Sequence, residues 1–483
     1  MNRAGRDIAF LSAAELAARL RSGELTARVL LDHYLARIAR LNEKVNAVVT
    51  LDAEQARARA DALDGADRNG ALAGLPFTIK DSLETAGLRT TCGAPQWSKH
   101  LPSRNADAVQ LLVDAGAIVF GKTNVPIYTT DLQAYNTLFG ATSNPWDATR
   151  TAGGSSGGAA ASVACGFTAF ELGSDIGGSI RTPAHFCGVY GHKPSYGIVP
   201  YRGHIPPPPG ALASPDLSVI GPLARSADDL ELVLGTIAAP DALRAGAWRL
   251  DLPRARSASL PEYRVAVWFD DPAFPLDDRM RTVLEAAVDR LAASGVRLVR
   301  AQTGISMEAL FDDYLRLLWS VTTSHLSARA LARLVEEGKA HAEDSWQAKL
   351  VRYATLPQRD WLAADERRQR LRVRLREFFS GCDVLLMPVN PVTAIAHDHG
   401  DDLMARTIRV NSESRWYWEQ LGWIAPATMA YLPATVAPAG LAADGLPVGI
   451  QIVGDYLQDR TTIDFARRIA EIVGGFTPPP GFD

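Results

Sequence analysis

Two adjacent serines in a glycine-rich stretch are the first residues whose setting suggests chemistry. Residues 153–158 read Gly-Gly-Ser-Ser-Gly-Gly, so the pattern Gly-x-Ser-x-Gly occurs twice, around Ser155 and around Ser156. That pattern is typical of the sharp turn that exposes the nucleophile of α/β-hydrolases. Such an enzyme also needs an acidic residue and a histidine further along, and histidines from His185 to His399 are available. Spacing alone therefore leaves two interpretations open: the nucleophile turn of an α/β-hydrolase and a Gly/Ser-rich turn with no catalytic role.

A lysine stands at the end of a predicted strand, upstream of the serines. Residues 75–79 alternate in a way that predicts a strand, and Lys80 follows them. Burial can lower a lysine pKa by up to about 3 to 5 units from its ordinary value of about 10.4, and a neutral lysine can act as a base. The same residue also fits a surface lysine paired with Asp81 at the end of the strand. Taken without further context, the residues favour this second interpretation.

A third motif looks like a nucleotide-binding loop. Residues 116–123 match the pattern Gly-x-x-x-x-Gly-Lys-Thr letter for letter. A phosphate-binding loop follows a strand and precedes a helix, whereas here a predicted helix over about 105–115 comes first. The apolar residues 118–120 favour a strand, and Pro126 interrupts the helix that should follow. We therefore predict a strand here and reject nucleotide binding.

A second glycine- and serine-rich stretch decides how the first is interpreted. Residues 173–184 read Gly-Ser-Asp-Ile-Gly-Gly-Ser-Ile-Arg-Thr-Pro-Ala, and residues 187–194 read Cys-Gly-Val-Tyr-Gly-His-Lys-Pro. Together with residues 153–158 and the segment Gly-Leu-Pro-Phe-Thr-Ile-Lys-Asp at 74–81, they closely resemble the amidase signature family. The motifs occur in the family's order, and weaker similarity extends over nearly the whole chain. Among members of the family, the chain most resembles stand-alone bacterial amidases.

The resemblance implies amide hydrolysis by a serine, serine and lysine triad that passes through an acyl-enzyme. It implies that Ser179 attacks the carbonyl carbon, that Ser155 relays a proton and that neutral Lys80 is the base. An amide requires this assistance because its nitrogen is a poor leaving group, so it needs an activated nucleophile, a proton for the amine and a clamp on the oxyanion. The family also has a cis peptide bond before the first serine, here between Gly154 and Ser155. No metal and no organic cofactor are implied.

The turn that leads to Ser179 supplies candidates for the oxyanion hole. Glycines let the backbone come close to a substrate and turn successive N–H groups towards one point. The predicted donors are the backbone N–H groups of Ile176, Gly177, Gly178 and Ser179.

Three further residues near the motifs have predicted supporting roles. Asp175 and Arg181 flank the nucleophile with opposite charges, and we predict that they brace the loop as an ion pair without touching substrate. Thr129 lies 26 residues before Ser155. The resemblance implies that the backbone carbonyl at this position faces the bound substrate.

The elements that must position these residues alternate between helices and strands. Ser12 and Thr26 are predicted N-caps of the first two helices. Residues 383–387 and 448–453 are almost continuously apolar, which suits a sheet covered on both faces. We predict one large α/β domain over residues 1–483, with a central mixed β-sheet covered on both faces by helices. Its parts are a helical lead over about 1–65, a signature core over about 66–230, a variable helical substrate region over about 275–380 and C-terminal core strands over about 381–483.

The composition excludes several classes of protein. The chain has 483 residues, 47% of them hydrophobic, and a net charge of −4, so it has no basic footprint for nucleic acid. Its four cysteines form no Cys-x-x-Cys pair, which argues against a zinc site or a disulfide framework and favours reduced, buried thiols. No apolar run approaches the roughly 20 residues that span a bilayer. We therefore predict a cytoplasmic protein with no membrane partner.

The resemblance determines the bond type better than the substrate. Residues 206–209 are four prolines, and similar runs in stand-alone bacterial amidases suggest that they shape the pocket rim. We predict hydrolysis of small apolar or aryl amides, extending to anilides, aryl carbamates (urethanes) and esters, by a monomer or homodimer. The alternative is the glutamine-hydrolysing subunit of a tRNA amidotransferase complex. Six tryptophans in the latter part of the chain could line an aromatic pocket or pack in the core: Trp319, Trp346, Trp361, Trp416, Trp418 and Trp423.

Overall fold

The computed structural model describes residues 7–65, 69–400 and 402–483. The first part is a helical lead followed by a small sheet. The Ser12 side chain accepts a hydrogen bond from the N–H of Glu15, and that of Thr26 from the N–H of Val29, so both predicted N-caps are confirmed. The elements of this part are α1 (Ala13–Ser22), α2 (Ala27–Leu41), β1 (Val48–Leu51), α3 (Ala53–Asp64), β2 (Pro76–Lys80), α4 (Asp107–Asp114) and β3 (Ile118–Thr123).

These strands form a three-stranded sheet in the order β1-β3-β2. Strand β3 runs antiparallel to β1 and parallel to β2, and every residue of β2 and β3 is buried. The motif that resembles a phosphate-binding loop continues from Gly116 directly into β3. The predicted strand over residues 118–120 is therefore confirmed as part of β3.

The rest of the chain builds the central sheet and the helices around it. Its elements are β4 (Tyr135–Asn136), β5 (Gly140–Ala141), α5 (Gly157–Ala164), β6 (Phe170–Asp175), α6 (Arg181–Cys187), β7 (Tyr190–Lys193), β8 (Val219–Ala224), α7 (Ala227–Ile237), β9 (Arg264–Val267), α8 (Asp278–Ala293), β10 (Arg297–Arg300), α9 (Met307–Thr322), α10 (Ala328–Gly338), α11 (Trp346–Ala354), α12 (Gln358–Gly381), β11 (Val384–Pro388), β12 (Thr407–Val410), β13 (Glu413–Trp416), α13 (Ala425–Met429), β14 (Ala434–Leu441), β15 (Pro447–Val453) and α14 (Asp459–Val473).

The central sheet has eight strands in the order β10-β9-β11-β15-β14-β7-β8-β6. It is mixed, because β10, β9 and β11 are parallel to one another whereas the remaining pairs are antiparallel. All residues of β11 and β15 are buried, and since successive side chains point to opposite faces, both faces of the sheet are covered there. Helices α6, α8 and α14 pack on β14 and β15. The predicted α/β fold with a covered mixed sheet is confirmed.

The region predicted as variable and helical contains one element that the pattern did not indicate. Helices α8 to α12 occupy it, and it also contains β10, which forms the edge of the central sheet beside β9. All four cysteines, each within the described ranges, are buried thiols. No helix in the described residues combines the length and apolar character needed to cross a membrane.

Candidate active site

Lys80 is the last residue of β2 and lies wholly inside the protein. It is 0% exposed, and its Nζ is 2.7 Å from Ser155 Oγ and 2.9 Å from Ser174 Oγ. The neighbouring Asp81 is also buried and accepts hydrogen bonds from the backbone N–H and the hydroxyl of Thr91. The interpretation of a surface lysine paired with Asp81 is therefore wrong. The strand instead delivers the amine to two serine hydroxyls.

The low pKa of Lys80 is shared by other buried lysines, but its surroundings are not. Burial lowers the pKa of Lys80 to about 7, that of Lys193 to about 7 and that of Lys122 to about 8. Lys193 Nζ donates to the carbonyl of Pro194, and Lys122 Nζ donates to Thr85 Oγ1. Of these lysines, Lys80 is the one whose amine contacts serines that line a cavity. Position, and not pKa alone, therefore marks it as a candidate base.

Ser155 and Ser179 reach the same cavity from two loops. Ser155 precedes α5 and follows a cis peptide bond from Gly154, as the family resemblance implied, and Ser179 lies between β6 and α6. The N–H of Ser156 donates to the carbonyl of Ser179 at 3.1 Å, which ties the loops together. A Cβ on Gly154 would come within 2.6 Å of the Asp131 carbonyl oxygen. The backbone at residue 154 can therefore lie this close to the backbone at Asp131 only because residue 154 is glycine.

The turn before Ser179 differs from the prediction at one of its donors. The N–H of Gly178 donates to Asp175 Oδ1 at 2.9 Å, so it is not free to bind an oxyanion in this arrangement. In the part of the chain that the structure describes, the N–H groups of Ile176, Gly177 and Ser179 have no hydrogen-bond acceptor and remain candidates. Gly178 is still required, because its φ is +80° and a Cβ there would lie 2.9 Å from Thr182 Oγ1.

Asp175 and Arg181 form a buried ion pair beneath this turn. Arg181 Nε lies 3.0 Å from Asp175 Oδ2, Arg181 Nη2 lies 2.9 Å from Asp175 Oδ1, and both residues are 0% exposed. Burial raises the pKa of Asp175, but the Arg181 guanidinium outweighs it and holds that pKa below its usual range. Arg181 also donates to Gln451 on β15 and to Thr428 on α13. The pair therefore anchors the loop to the sheet, and neither residue lines the cavity.

The cavity has a volume of about 690 Å³ and a lining that is mostly apolar and aromatic. Thr129 lies in its wall beside Tyr128. Asp131 also lines it, but its carboxylate is engaged by Arg406 and by the hydroxyl of Tyr417, each at 2.7 Å. No lysine or arginine belongs to this lining, all of which falls within the described ranges. The other apolar and aromatic lining residues include Trp97, Leu132, Ile176, Pro206, Pro207, Pro208, Leu318, Trp319, Val321, Leu326, Leu350, Leu403, Met404, Trp418 and Leu421. The uncharged polar ones include Gln96, Thr130, Ser218, Thr322, Thr323, Ser324 and Ser327, and His325 also lies in the wall.

Of the six tryptophans in the latter part of the chain, some line the cavity and others pack in the core. Trp319 and Trp418 line the cavity, together with the proline run that was predicted to shape the rim. Trp423 is 0% exposed and donates from its indole to the Phe274 carbonyl, so it belongs to the core. Trp346 and Trp416 stack on each other with ring centroids 4.1 Å apart. The remaining member of the six, Trp361, packs against the core cluster.

Sequence reasoning missed two polar residues that contact this site. Ser174 shares Lys80 Nζ with Ser155, and His204 Nε2 lies 2.8 Å from Ser174 Oγ. Ser174 and His204 are 30 positions apart, and His204 was one of several histidines with no distinguishing spacing. The signal in the sequence is limited to the position of Ser174 beside Asp175, inside the signature stretch.

A buried glutamate lies near the lysines. Glu171 on β6 is 0% exposed, and the nearby hydroxyls of Thr78 and Thr123 and the charge of Lys122 stabilise its ionised form too little to offset burial. Burial raises the pKa of Glu171 to about 8, so the folded protein holds a proton there that the unfolded chain releases above about pH 4.3. Between these pH values the folded state binds more protons, and stability therefore falls as the pH rises.

We expect Glu171→Gln to remove this pH-dependent loss, because glutamine has nearly the same shape and no charge. At pH 8.5 the variant should be more stable than the wild type by about 1 to 3 kcal/mol, whereas at pH 5 the two should be nearly equal. Thermal unfolding at both pH values measures the difference. A difference that is the same at pH 5 and pH 8.5 would contradict the assignment of the titration to Glu171.

The chain is similar to amidases and to components of amidotransferases. The family model described as Amidase matches residues 29–463. The glutamyl-tRNA(Gln) amidotransferase A subunit of Prochlorococcus marinus (strain MIT 9303) is 36% identical over 490 residues, which cover 94% of this chain and 96% of that relative. A structure described as an amidase has a TM-score of 0.77 at 28% identity and covers 96% of this chain and 100% of that chain. A structure described as a vestigial complex that reveals the origins of an s-triazine catabolic enzyme has a TM-score of 0.81 at 26% identity, over 97% of this chain and 100% of that chain.

Proposed function

The chain belongs to the amidase family, whose model covers residues 29–463, and we therefore propose that it hydrolyses small apolar or aryl amides through Ser179, Ser155 and Lys80. Membership makes it a hydrolase of carbon–nitrogen bonds other than peptide bonds. Hydrolysis passes through an acyl-enzyme on Ser179: the carbon–nitrogen bond breaks when this ester forms, and water then cleaves the ester. The proposal extends to anilides, aryl carbamates and esters, which present the same carbonyl carbon to the nucleophile.

In the first stage, Ser179 Oγ attacks the carbonyl carbon and its proton passes to Ser155, whose own hydroxyl proton passes to Lys80 Nζ. The 2.7 Å contact between Lys80 and Ser155 supports this relay, as does the low pKa that burial gives the lysine. The oxyanion accepts hydrogen bonds from the free N–H groups of the turn, of which those of Gly177 and Ser179 are the closest to the nucleophile in sequence.

The same protons return as the ester forms and is then cleaved. The Lys80 ammonium passes a proton through Ser155 to the leaving nitrogen, the carbon–nitrogen bond breaks and the acyl group stays on Ser179. Water then attacks the ester with Ser155 and Lys80 again as the relay, which releases the acid and restores the free hydroxyl.

The observation that carries the substrate class is the chemistry of the cavity lining. Apolar and aromatic side chains stabilise an apolar or aryl group by removing it from water. The lining contains no lysine or arginine in the described part of the chain, and the carboxylate of Asp131 is already paired with Arg406. A free amino acid such as glutamine would bring an α-carboxylate to this cavity, and burying that charge without a partner is costly.

A second candidate is the glutamine-hydrolysing subunit of a tRNA amidotransferase, and the curated relatives favour it. The amidotransferase component of Prochlorococcus marinus matches nearly the full length of this chain at 36% identity. Taken alone, this similarity supports the second candidate better than the first.

A hydrolysis panel with the purified protein separates the two candidates. The substrates are an aryl amide, an aryl carbamate, an aryl ester, a short aliphatic amide and glutamine, each also tested with Ser179→Ala. We expect the protein alone to cleave the aryl substrates and the variant to lose that activity. The second function would replace the first if the protein did not hydrolyse the aryl substrates and hydrolysed glutamine only after the partner chains of an amidotransferase were added.

A further inference from the structure

We propose that His204 is a positioning residue that sets the direction of the proton relay. By accepting a hydrogen bond from the Ser174 hydroxyl, it leaves the lone pair of Lys80 available to Ser155. This inference rests on the proposed triad and adds two residues to it.

The hydrogen bonds of His204 determine which of its ring nitrogens carries the proton. Nδ1 lies 2.9 Å from the carbonyl oxygen of Pro206, and a carbonyl can only accept, so Nδ1 must donate. Burial, with a smaller contribution from Lys80, lowers the pKa of His204 to about 3, so the ring is neutral at physiological pH. Its Nε2 then carries a lone pair and accepts a hydrogen bond.

Ser174 provides the hydrogen that Nε2 accepts. Ser174 Oγ lies 2.8 Å from Nε2, closer than Ser82 Oγ at 3.1 Å. The Ser174 hydroxyl has a single hydrogen, and once it is donated to His204, Oγ faces Lys80 Nζ only as an acceptor, at 2.9 Å.

The hydrogen bond from Ser174 to His204 determines how Lys80 uses its own hydrogens and lone pair. A neutral amine has two hydrogens and one lone pair, and donation to Ser174 uses a hydrogen. The lone pair is then free for the Ser155 hydroxyl at 2.7 Å, which is the contact that the relay needs. If Ser174 lost its acceptor, its hydroxyl could turn and donate to the same lone pair. That arrangement would be unproductive, because in the proposed relay Ser155, and not Ser174, exchanges a proton with Ser179.

The position of the imidazole is set by the backbone. Leu83 and His204 form an isolated β-bridge, and the N–H of Ile205 donates to the carbonyl of Ser82 at 2.7 Å. His204 itself is 5% exposed. The segment that carries the ring is therefore held against the loop that follows β2, within reach of Ser174.

A double-mutant cycle tests the proposal on the aryl amide of the panel. His204→Asn keeps a donor near Nδ1 and loses the acceptor at Nε2, whereas His204→Gln places an acceptor near Nε2. We expect His204→Asn to lower kcat by about 10- to 100-fold with KM nearly unchanged, because misdirected base catalysis affects the chemical step. His204→Gln should recover most of that loss.

The decisive arm is His204→Asn in a Ser174→Ala background. With no hydroxyl left to redirect, the histidine substitution should cost less than about threefold there, so the two effects are strongly non-additive. Equal costs in both backgrounds, or a loss confined to KM, would overturn the proposal and reduce His204 to a packing role. If His204→Asn does not fold, the same cycle with His204→Phe decides the question.

The proposed function can fail separately. Full aryl-amide activity in Ser179→Ala would reject the triad itself. An additive cycle in a protein whose activity depends on Ser179 would reject only the role of His204.

Discussion

Ser179→Ala is expected to lower kcat for an aryl amide by about four to six orders of magnitude, because it removes the atom that bonds to the acyl group. The substitution deletes one oxygen from a residue that is 6% exposed at the cavity, so the fold should tolerate it. KM should change little, since the apolar walls that bind the substrate stay in place. Steady-state kinetics with matched substrate concentrations measures both quantities.

The matched control is Ser162→Ala. Ser162 is a buried serine on α5, whose hydroxyl contacts that of Thr78 and which does not line the cavity. Its loss should leave kcat within a few-fold of the wild type. Trapping of a covalent acyl adduct on Ser179 by mass spectrometry adds an independent readout. Full activity of Ser179→Ala, or an adduct on another residue, would show that the nucleophile is assigned wrongly.

Lys80→Met is expected to lower kcat/KM by about three to four orders of magnitude, because it keeps the apolar stem and removes the base. In the wild type, kcat/KM should rise with pH around the Lys80 pKa of about 7, since the neutral amine is the active form. The residual activity of the variant should lack this rise. The measurement is a profile of kcat/KM from pH 5.5 to pH 9 for both proteins.

Lys193→Met is the control for this change. Lys193 is also a buried lysine, with its pKa lowered to about 7 by burial, but its Nζ donates to the Pro194 carbonyl. We expect the control to retain the rise in kcat/KM with pH. If Lys80→Met shows the same rise as the wild type, the titration belongs to another group and the lysine base is excluded.

The reaction class and the substrate class depend to different degrees on the similarity to known amidases. The reaction class follows from family membership, whereas the substrate class depends on the lining of a cavity whose walls come from several distant segments. Trp97, Tyr128, Trp319 and Trp418 lie in that lining. A short change in any of these segments would therefore alter the pocket without altering the signature motifs.

Features that depend on neighbouring residues could be predicted from the sequence. The N-caps at Ser12 and Thr26, the strand that ends at Lys80 and the strand in place of a phosphate loop were all predicted from local patterns and are present. Local patterns succeed here because capping bonds, alternation and apolar runs act within a few residues. The family and the α/β class were predicted from motifs of the same short range.

Which groups face one another across the site depends on how distant segments of the chain fold together. Lys80 and Ser155 are 75 residues apart, and His204 and Ser174 are 30 apart, so no local pattern could place them within hydrogen-bonding distance. The burial of Lys80, the use of the Gly178 N–H by Asp175 and the absence of a cation from the described cavity lining also depend on packing between distant elements. The physical reason is that desolvation and hydrogen-bond direction belong to the assembled surroundings of a group and not to its neighbours in the chain.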